Sequence, residues 1–430
     1  MNKKFLIISP YFAPTNAADM HRVRMSLLYY AEFGWDAEIV TVEPKYSDFM
    51  QDELLLESMP VNLKIHYVRA FDKNRTKKLG LGSIALRSLY FYYVEVARLL
   101  KAQKYDLIYF STTQFPVCIL GYYWNKKFNV PYVIDFQDPW HTDYYEHKPK
   151  AERPPKYWFS YRLNRLFEAI AMKRVGGLIA VTNAYIEALS ERYPRLKTVP
   201  SSVITFGAFK PDFDIAQKDG VSSYIKKSAG KIAIAYVGVV GEIMAPSLTV
   251  LFKCLSTLKH TDKELYSRFE WFFIGTSYAP PGTGKKTVVP IAETFGVADY
   301  IFEQTDRISY FEALKTIMTA DALLTIGSDE PTYTASKLYP YLLTNKPLLA
   351  IFNSGSPALD ILKEYDAKYA YSYDTSADIE SKIEAFLKKL AEGELGEQQY
   401  NPAAVKKYAA ENMAKRQCDL FNRVVEVLPE

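Results

Sequence analysis

The sequence predicts an α/β protein of two doubly wound parallel-sheet domains that face a cleft. Three observations carry this expectation. The chain has 430 residues, 49% hydrophobic and 24% charged, which is enough to bury two cores. Short β-branched apolar runs alternate with longer stretches of helical period, as right-handed crossovers onto a parallel sheet require. The alternation pauses near 200–214 and restarts. Two units are therefore expected, 1–205 and 206–400, with a terminal helix over 401–430 packing back on the first.

In the first unit the expected strands are "FLIIS", "AEIVTV", "LKIHYVRA", "YDLIYFS", "PYVIDF" and "GLIAVT". Helices are expected over 18–33, 84–102, 115–127 and 157–174, and after "GLIAVT". Gly34 stands where a helix C-terminus favours glycine. The second unit repeats the scheme with "KIAIAYVGVV", "FEWFFIG", "YIFEQ", "ALLTIG" and "PLLAIF", with helices between them. In the tail, Val405, Tyr408, Ala409, Met413, Cys418, Phe421, Val424 and Val425 recur at helical spacing. Both halves read as Rossmann-like, and such sheets bind ligands beyond the carboxyl ends of their strands.

Composition narrows the function. The 53 basic and 49 acidic residues leave a net charge of +4, too balanced to point to nucleic acid. Cys118, Cys254 and Cys418 are far apart and form no CxxC pair, so neither a disulfide framework nor a zinc site is expected and a cytoplasmic setting fits. "MNKKFLIISPYF" reads as a first buried strand, without a cleavage signal. No window reaches the roughly 18 apolar residues of a membrane span.

"APPGTGKKT" (279–287) resembles a phosphate-cradling ATPase loop but lacks its parts. Ala279 replaces the required glycine and Lys286 the magnesium-holding hydroxyl. It reads instead as a basic loop on the rim of the cleft.

Three other loops carry the candidate chemistry. After the first strand, Thr15 or Asp19 can cap a helix that places His21, Arg22 and Arg24 near its start. Such a turn suits an anionic or polyhydroxylated ligand; a solvated basic turn is the alternative, and the strand-end position favours the ligand. "VIDFQDPWH" delivers Asp135, Asp138, Trp140 and His141 into one loop stiffened by Pro139. Asp138 and His141 can bind sugar hydroxyls or move a proton, Trp140 offers a stacking face, and Asp135 reads as structural. "TYTASKLYPYLL" sets Thr334, Ser336 and Lys337 at a helix start fixed by Pro340. Free backbone donors and an ammonium there suit a diphosphate; a plainly capped surface helix is the alternative. Finally, "YWFSYRLNRLFEAIAMKRV" mixes Trp158, Phe159 and Tyr161 with basic residues, as an anionic membrane surface or a core helix with a basic outer face would require.

Taken in order, "FLIISPYFAPTNAADMHRVRMSLLYYAEFGWDAEIVT", "PYVIDFQDPW", "RLFEAIAMKRVGGLIAVTNAYIEAL", "VITFGAF", "IAYVGVV" and "SKLYPYLLTNKPLLA" resemble GT-B glycosyltransferases, most closely glycosyltransferase family 4. The resemblance spans nearly the whole chain. It implies transfer of a sugar from a UDP- or GDP-linked donor to a glycan or lipid-linked acceptor, with retention and with neither metal nor cofactor. It also implies a cytoplasmic enzyme of polysaccharide or glycoconjugate synthesis, with peripheral membrane contact as a further expectation.

The same resemblance assigns the donor to the second domain, with Ser336, Lys337 and Thr334 at the pyrophosphate, Gly238, Gly241 and Arg307 on the donor side, and Glu303, within the stretch Phe302–Gln304, touching the nucleobase through backbone groups. It places Asp138 and His141 at the transferred sugar, and His21 and Arg24 beside the reacting centre. Asn16, Arg22 and Trp140 are then acceptor or phosphate contacts. The chain departs from the family pattern twice. "VVGEIMA" lacks the usual cation, and Thr332 and Pro340 stand where paired glutamates are usual, with Glu330 nearby. A non-catalytic glycan- or partner-binding subunit and a nucleotide-sugar epimerase are the alternative readings.

Overall fold

The computed structural model describes residues 2–78, 80–141, 143, 146, 149–153, 157–330 and 336–426. The chain divides into two compact units, Met1–Gly207 with Ala409–Glu430, and Ala208–Tyr408. Unit 1 contains β1 (Lys3–Ile8), β2 (Trp35–Val42), β3 (Lys64–Val68), β4 (Leu107–Ser111), β5 (Tyr132–Phe136), β6 (Gly177–Ala180) and β7 (Ser201–Val203). They form one parallel sheet in the order β3-β2-β1-β4-β5-β6-β7. Every residue of β4 and β5 is buried, which is why these strands read as mostly apolar runs instead of alternating ones.

Unit 2 contains β8 (Ile232–Val237), β9 (Phe269–Ile274), β10 (Ile301–Gln304), β11 (Ala322–Ile326), β12 (Leu348–Phe352) and β13 (Ala370–Ser372). These are also all parallel, in the order β10-β9-β8-β11-β12-β13. In each sheet the order reverses beside its first strand, between β1 and β4 and between β8 and β11. Those reversals leave a crevice at the carboxyl ends where a ligand can enter.

In unit 1 the chain order β3 to β6 runs one way across the sheet, so right-handed crossovers put the intervening helices on one face. Helix Ile84–Ala102 packs on Ile119–Phe128, which packs on Tyr157–Met172. The terminal helix Ala410–Glu426 packs with helix Met20–Ser26. Its Phe421 joins Phe5, Trp35 and Tyr30, with ring centroids 5.3, 5.5 and 6.5 Å away.

Several boundaries differ from expectation. The helix expected over 18–33 is Met20–Ser26 followed by a tight 3-10 turn at Tyr30–Phe33. That turn carries Tyr30 inward, where its hydroxyl bonds Gln417 at 2.6 Å. The tail is two helices, Pro402–Lys407 and Ala410–Glu426. The break falls at Tyr408, which unit 2 holds by stacking on Tyr365 and by accepting from the Ala208 N–H at 2.8 Å. The first tail helix therefore belongs to unit 2, and the crossings lie at 207–208 and 408–409. Strands β7 and β13 and helix Ile379–Ala391 are additions to the expected elements. The two strands are three residues long, too short for a periodic signal.

Candidate functional site

In unit 2 the reversal point is built around a lysine. Beyond β8 the chain turns at Gly238 with φ 139°, and a Cβ there would clash with Lys337 Nζ. Only glycine therefore leaves room for this ammonium. Lys337 Nζ donates to the Tyr236 hydroxyl at 2.6 Å and sits 4.2 Å from the centre of that ring. Among the described residues no carboxylate pairs with it, and burial brings its pKa from 10.5 down to about 7. Desolvation disfavours the charged form, so this amine gains most from an incoming anion.

The surroundings hold that lysine in place. Tyr341, one turn along the same helix, accepts the Val237 N–H at 2.7 Å. The Asp329 N–H beyond β11 donates to the carbonyl of Ile243 at 2.8 Å, tying that loop to the turn after Gly241. Helix Leu338–Leu343 is only six residues long, with Lys337 at its cap. Its dipole is correspondingly small, so the expected helix-tip cradle gives way to the lysine side chain as the dominant charge. Ser336 is exposed beside it; Thr334 and Thr332 lie outside the described residues.

Two other expected donor residues lie nearby in sequence, at Glu303 and Arg307. Glu303 accepts from the Thr287, Val288 and Val289 N–H groups at 2.9, 3.0 and 2.9 Å and from the Thr276 hydroxyl at 2.8 Å. Its carboxylate is engaged in capping helix Val288–Thr294, so a contact from this stretch to a nucleobase would be made by its backbone. Arg307 is exposed, its guanidinium 5.2 Å from the centre of the Tyr278 ring. The 279–287 loop is pinned by Gly282 N–H to Asp306 at 2.9 Å and lies against Thr305, 2.8 Å from a Cβ built on Gly284.

In unit 1 the corresponding point gathers the loops after β1, β4 and β5. Asp19 holds the cap position of helix Met20–Ser26 without bonding its N–H groups. Its carboxylate instead accepts from the Thr112 hydroxyl at 2.8 Å and the Thr113 N–H at 3.0 Å. Gln137 ties the same loops together through Asp19 O and Ser111 Oγ, at 3.1 and 3.0 Å. Beside them opens a cavity of about 420 Å³, with Thr113, Phe115, Asp138, Trp140, Phe159 and Asn164 on its walls. Trp140 stacks on Phe115 at 5.3 Å and its indole N–H reaches Asn164 at 3.4 Å. Asp138 is exposed on this wall, yet loss of hydration, with added repulsion from Asp19, raises its pKa.

The remaining candidates are less accessible. His141 is buried against Tyr161, with ring centres 4.6 Å apart, and is not part of the cavity wall. Burial, then the nearby Arg192 guanidinium, lowers its pKa. His21 is also held neutral, by burial and by Arg24. Arg24 donates to His21 Nδ1 at 3.2 Å and to Ser58 Oγ at 2.5 Å. A guanidinium can only donate, so His21 carries its proton on Nε2.

Arg22, expected at a phosphate, is fully buried on Asp135 at 2.9 Å. It also donates to the carbonyls of Ile204 and Thr205, at 2.9 and 3.2 Å. It is thereby corrected to a structural residue. Asn16 is part-buried and its N–H is bonded to Met50 O at 2.9 Å. Sequence reasoning missed Tyr236, Asn164 and the use of Asp19. Tyr236 was detectable, since it lies two residues before Gly238; the other two depend on contacts across the fold.

Residues 21–201 match the family model of the glycosyl transferase 4-like domain. The whole chain is similar in fold to three solved structures. The N-terminal domain of trehalose-6-phosphate phosphatase from Candida albicans has a TM-score of 0.62 at 11% identity, with 98% of this chain and 97% of that one covered. A UDP-forming trehalose-phosphate synthase from Burkholderia xenovorans has a TM-score of 0.57 at 10% identity, with 99% of both covered. HepE of Anabaena, solved with UDP and glucose, has a TM-score of 0.53 at 13% identity, with 99% and 98% covered. No curated protein sequence matches the chain. The two parallel-sheet units thus match the GT-B fold of these structures.

Proposed function

We propose that this glycosyltransferase-like protein moves a sugar from a nucleoside diphosphate donor, uridine- or guanosine-linked, to a hydroxyl of a glycan or lipid-linked acceptor. Retention at the anomeric carbon, independence of metal, and a role in bacterial-type polysaccharide or glycoconjugate synthesis belong to the same proposal. The observation that carries it is the half-buried Lys337 ammonium, without a carboxylate partner among the described residues, at the reversal point of the unit 2 sheet. HepE, whose fold is similar, was solved with UDP and glucose, which supports a nucleotide at such a fold.

In the transfer, the bond from the anomeric carbon to the diphosphate oxygen breaks and its electron pair leaves with the diphosphate. Lys337 stabilises that growing charge, and fixed charge aimed at a leaving group commonly contributes more to such catalysis than any other effect. A new bond forms to the acceptor oxygen. Asp138, at the unit 1 cavity, orients the acceptor hydroxyl, and its raised pKa suits it to receive a proton. His21 and His141, both neutral, act as hydrogen-bonding groups and not as cations. Ser336, Gly238, Gly241 and the exposed Arg307 complete the donor side.

A second reading, a binding subunit without turnover, is favoured by Pro340 in place of a glutamate and by the cation missing from "VVGEIMA". Purified protein offered separate UDP- and GDP-sugars decides between them. Slow release of free nucleotide supports transfer chemistry, binding without release supports the subunit, and interconversion of sugars supports an epimerase.

A further inference from the structure

We propose that unit 2 carries a second ligand site, at the amino ends of β11 and β12, which takes a small aliphatic molecule bearing one negative charge. A cavity of about 480 Å³ opens there, within the size range of small-molecule sites. Helices Tyr310–Thr319 and Leu338–Leu343 lead into these two strands, and their last turns supply Met318, Leu342 and Leu343 to its walls. Lys337 stands at the opposite end of the second helix, six residues long, and so about 9 Å away at 1.5 Å per residue. The cavity is therefore distinct from the donor site.

The body of the ligand follows from the walls. Leu342 and Phe213 are buried, Met318 can adapt its shape to an occupant, and Val405, 38% exposed, makes an apolar rim. Tyr365 also lines the cavity, but its ring is already stacked on Tyr408 at 5.7 Å and set across Tyr400 at 5.8 Å. Aliphatic surface dominates, so a saturated chain suits this lining better than an aromatic ring.

The charge of the ligand follows from Lys346, which lines the cavity in the turn before β12. Asp321 attracts it through space but is paired with Lys227 at 2.7 Å, and among the described residues no carboxylate forms an ion pair with Lys346. Loss of hydration is the chief cause that lowers its pKa. An anion in the cavity would return what burial removes. The other charged walls, Lys210 and Asp214, offset one another. A single negative charge therefore balances the site.

The test is calorimetric titration of the full chain with sodium octanoate, 1-octanol and octylammonium. Octanoate should bind saturably at one site, with the alcohol and the amine roughly tenfold weaker, since a hydrogen bond to a charged group is lost. Lys346→Met should weaken octanoate by a similar factor and Lys346→Arg should restore it. Val405→Glu, which sets a carboxylate on the exposed rim, should also weaken it with the urea midpoint unchanged, and Lys337→Met should leave it unaltered. Octanoate binding requires neither donor nor turnover, so its failure is separate from that of the transfer reaction. Lack of saturable octanoate binding, or octanol binding as tightly as octanoate, overturns the proposal whatever the variants do. Full octanoate affinity in Lys346→Met, or displacement of octanoate by UDP, overturns it as well.

Discussion

Replacing Lys337 by methionine should improve folding and damage donor binding in the same variant. The aliphatic stem keeps its packing on Tyr236 while the ammonium disappears. A lysine whose pKa falls from 10.5 to about 7 on folding disfavours the native state by about 4 kcal/mol at neutral pH, at roughly 1.4 kcal/mol per unit. That figure is the ceiling of the expected gain, and a part of it should appear in urea unfolding of Lys337→Met. The sign follows from proton counting. Between pH about 7 and 10.5 the unfolded chain binds more protons at this site, so wild-type stability rises with pH there. The methionine variant should lack that rise.

Donor affinity should move the opposite way. Removing one member of a buried charge pair typically costs about 2–5 kcal/mol, so UDP or GDP binding by calorimetry should weaken by roughly 30-fold or more. Wild-type affinity should also fall as pH climbs above about 7, where Lys337 loses its proton, and binding should draw a proton from the buffer. A variant that binds nucleotide as well as wild type, or that loses stability together with affinity, would remove Lys337 from the donor site.

Other consequences can be checked more briefly. Asp138→Asn should lower turnover at least tenfold while nucleotide affinity stays unchanged, because the carboxylate lines the unit 1 cavity; a parallel loss of affinity would place it elsewhere. Arg22→Met leaves Asp135 charged and fully buried, so urea unfolding should show a loss of about 3–5 kcal/mol. Glu303→Gln should lower stability by about 1–2 kcal/mol through the cap of helix Val288–Thr294 and leave nucleotide affinity intact.

The fold was largely legible because period and burial agree. β4, β5, β9, β11 and β12 are buried throughout, and their predominantly apolar runs stand out in the sequence. The helix Ile379–Ala391 could have been read as well, since Ile383, Phe386, Leu387 and Leu390 are buried at helical spacing. The tail break at Tyr408 could not, because rings far along the chain hold that residue.

The site was legible by location and less so by role. Gly238 and Lys337 stood out by position, and the structure places them against one another. The charge of Arg22 looked available in one dimension, but Asp135 and the carbonyls of Ile204 and Thr205, all distant in sequence, claim it. A charged side chain near a strand end serves a ligand only if no internal partner claims it, and sequence spacing carries no record of such partners.

The most direct test is a crystal structure with a nucleoside diphosphate bound. A phosphate oxygen is expected within about 3 Å of Lys337 Nζ, at charge-assisted hydrogen-bond distance, beside Gly238. A nucleotide seated on unit 1, or on unit 2 with Lys337 still turned only toward Tyr236, would rule out this lysine as the diphosphate's partner.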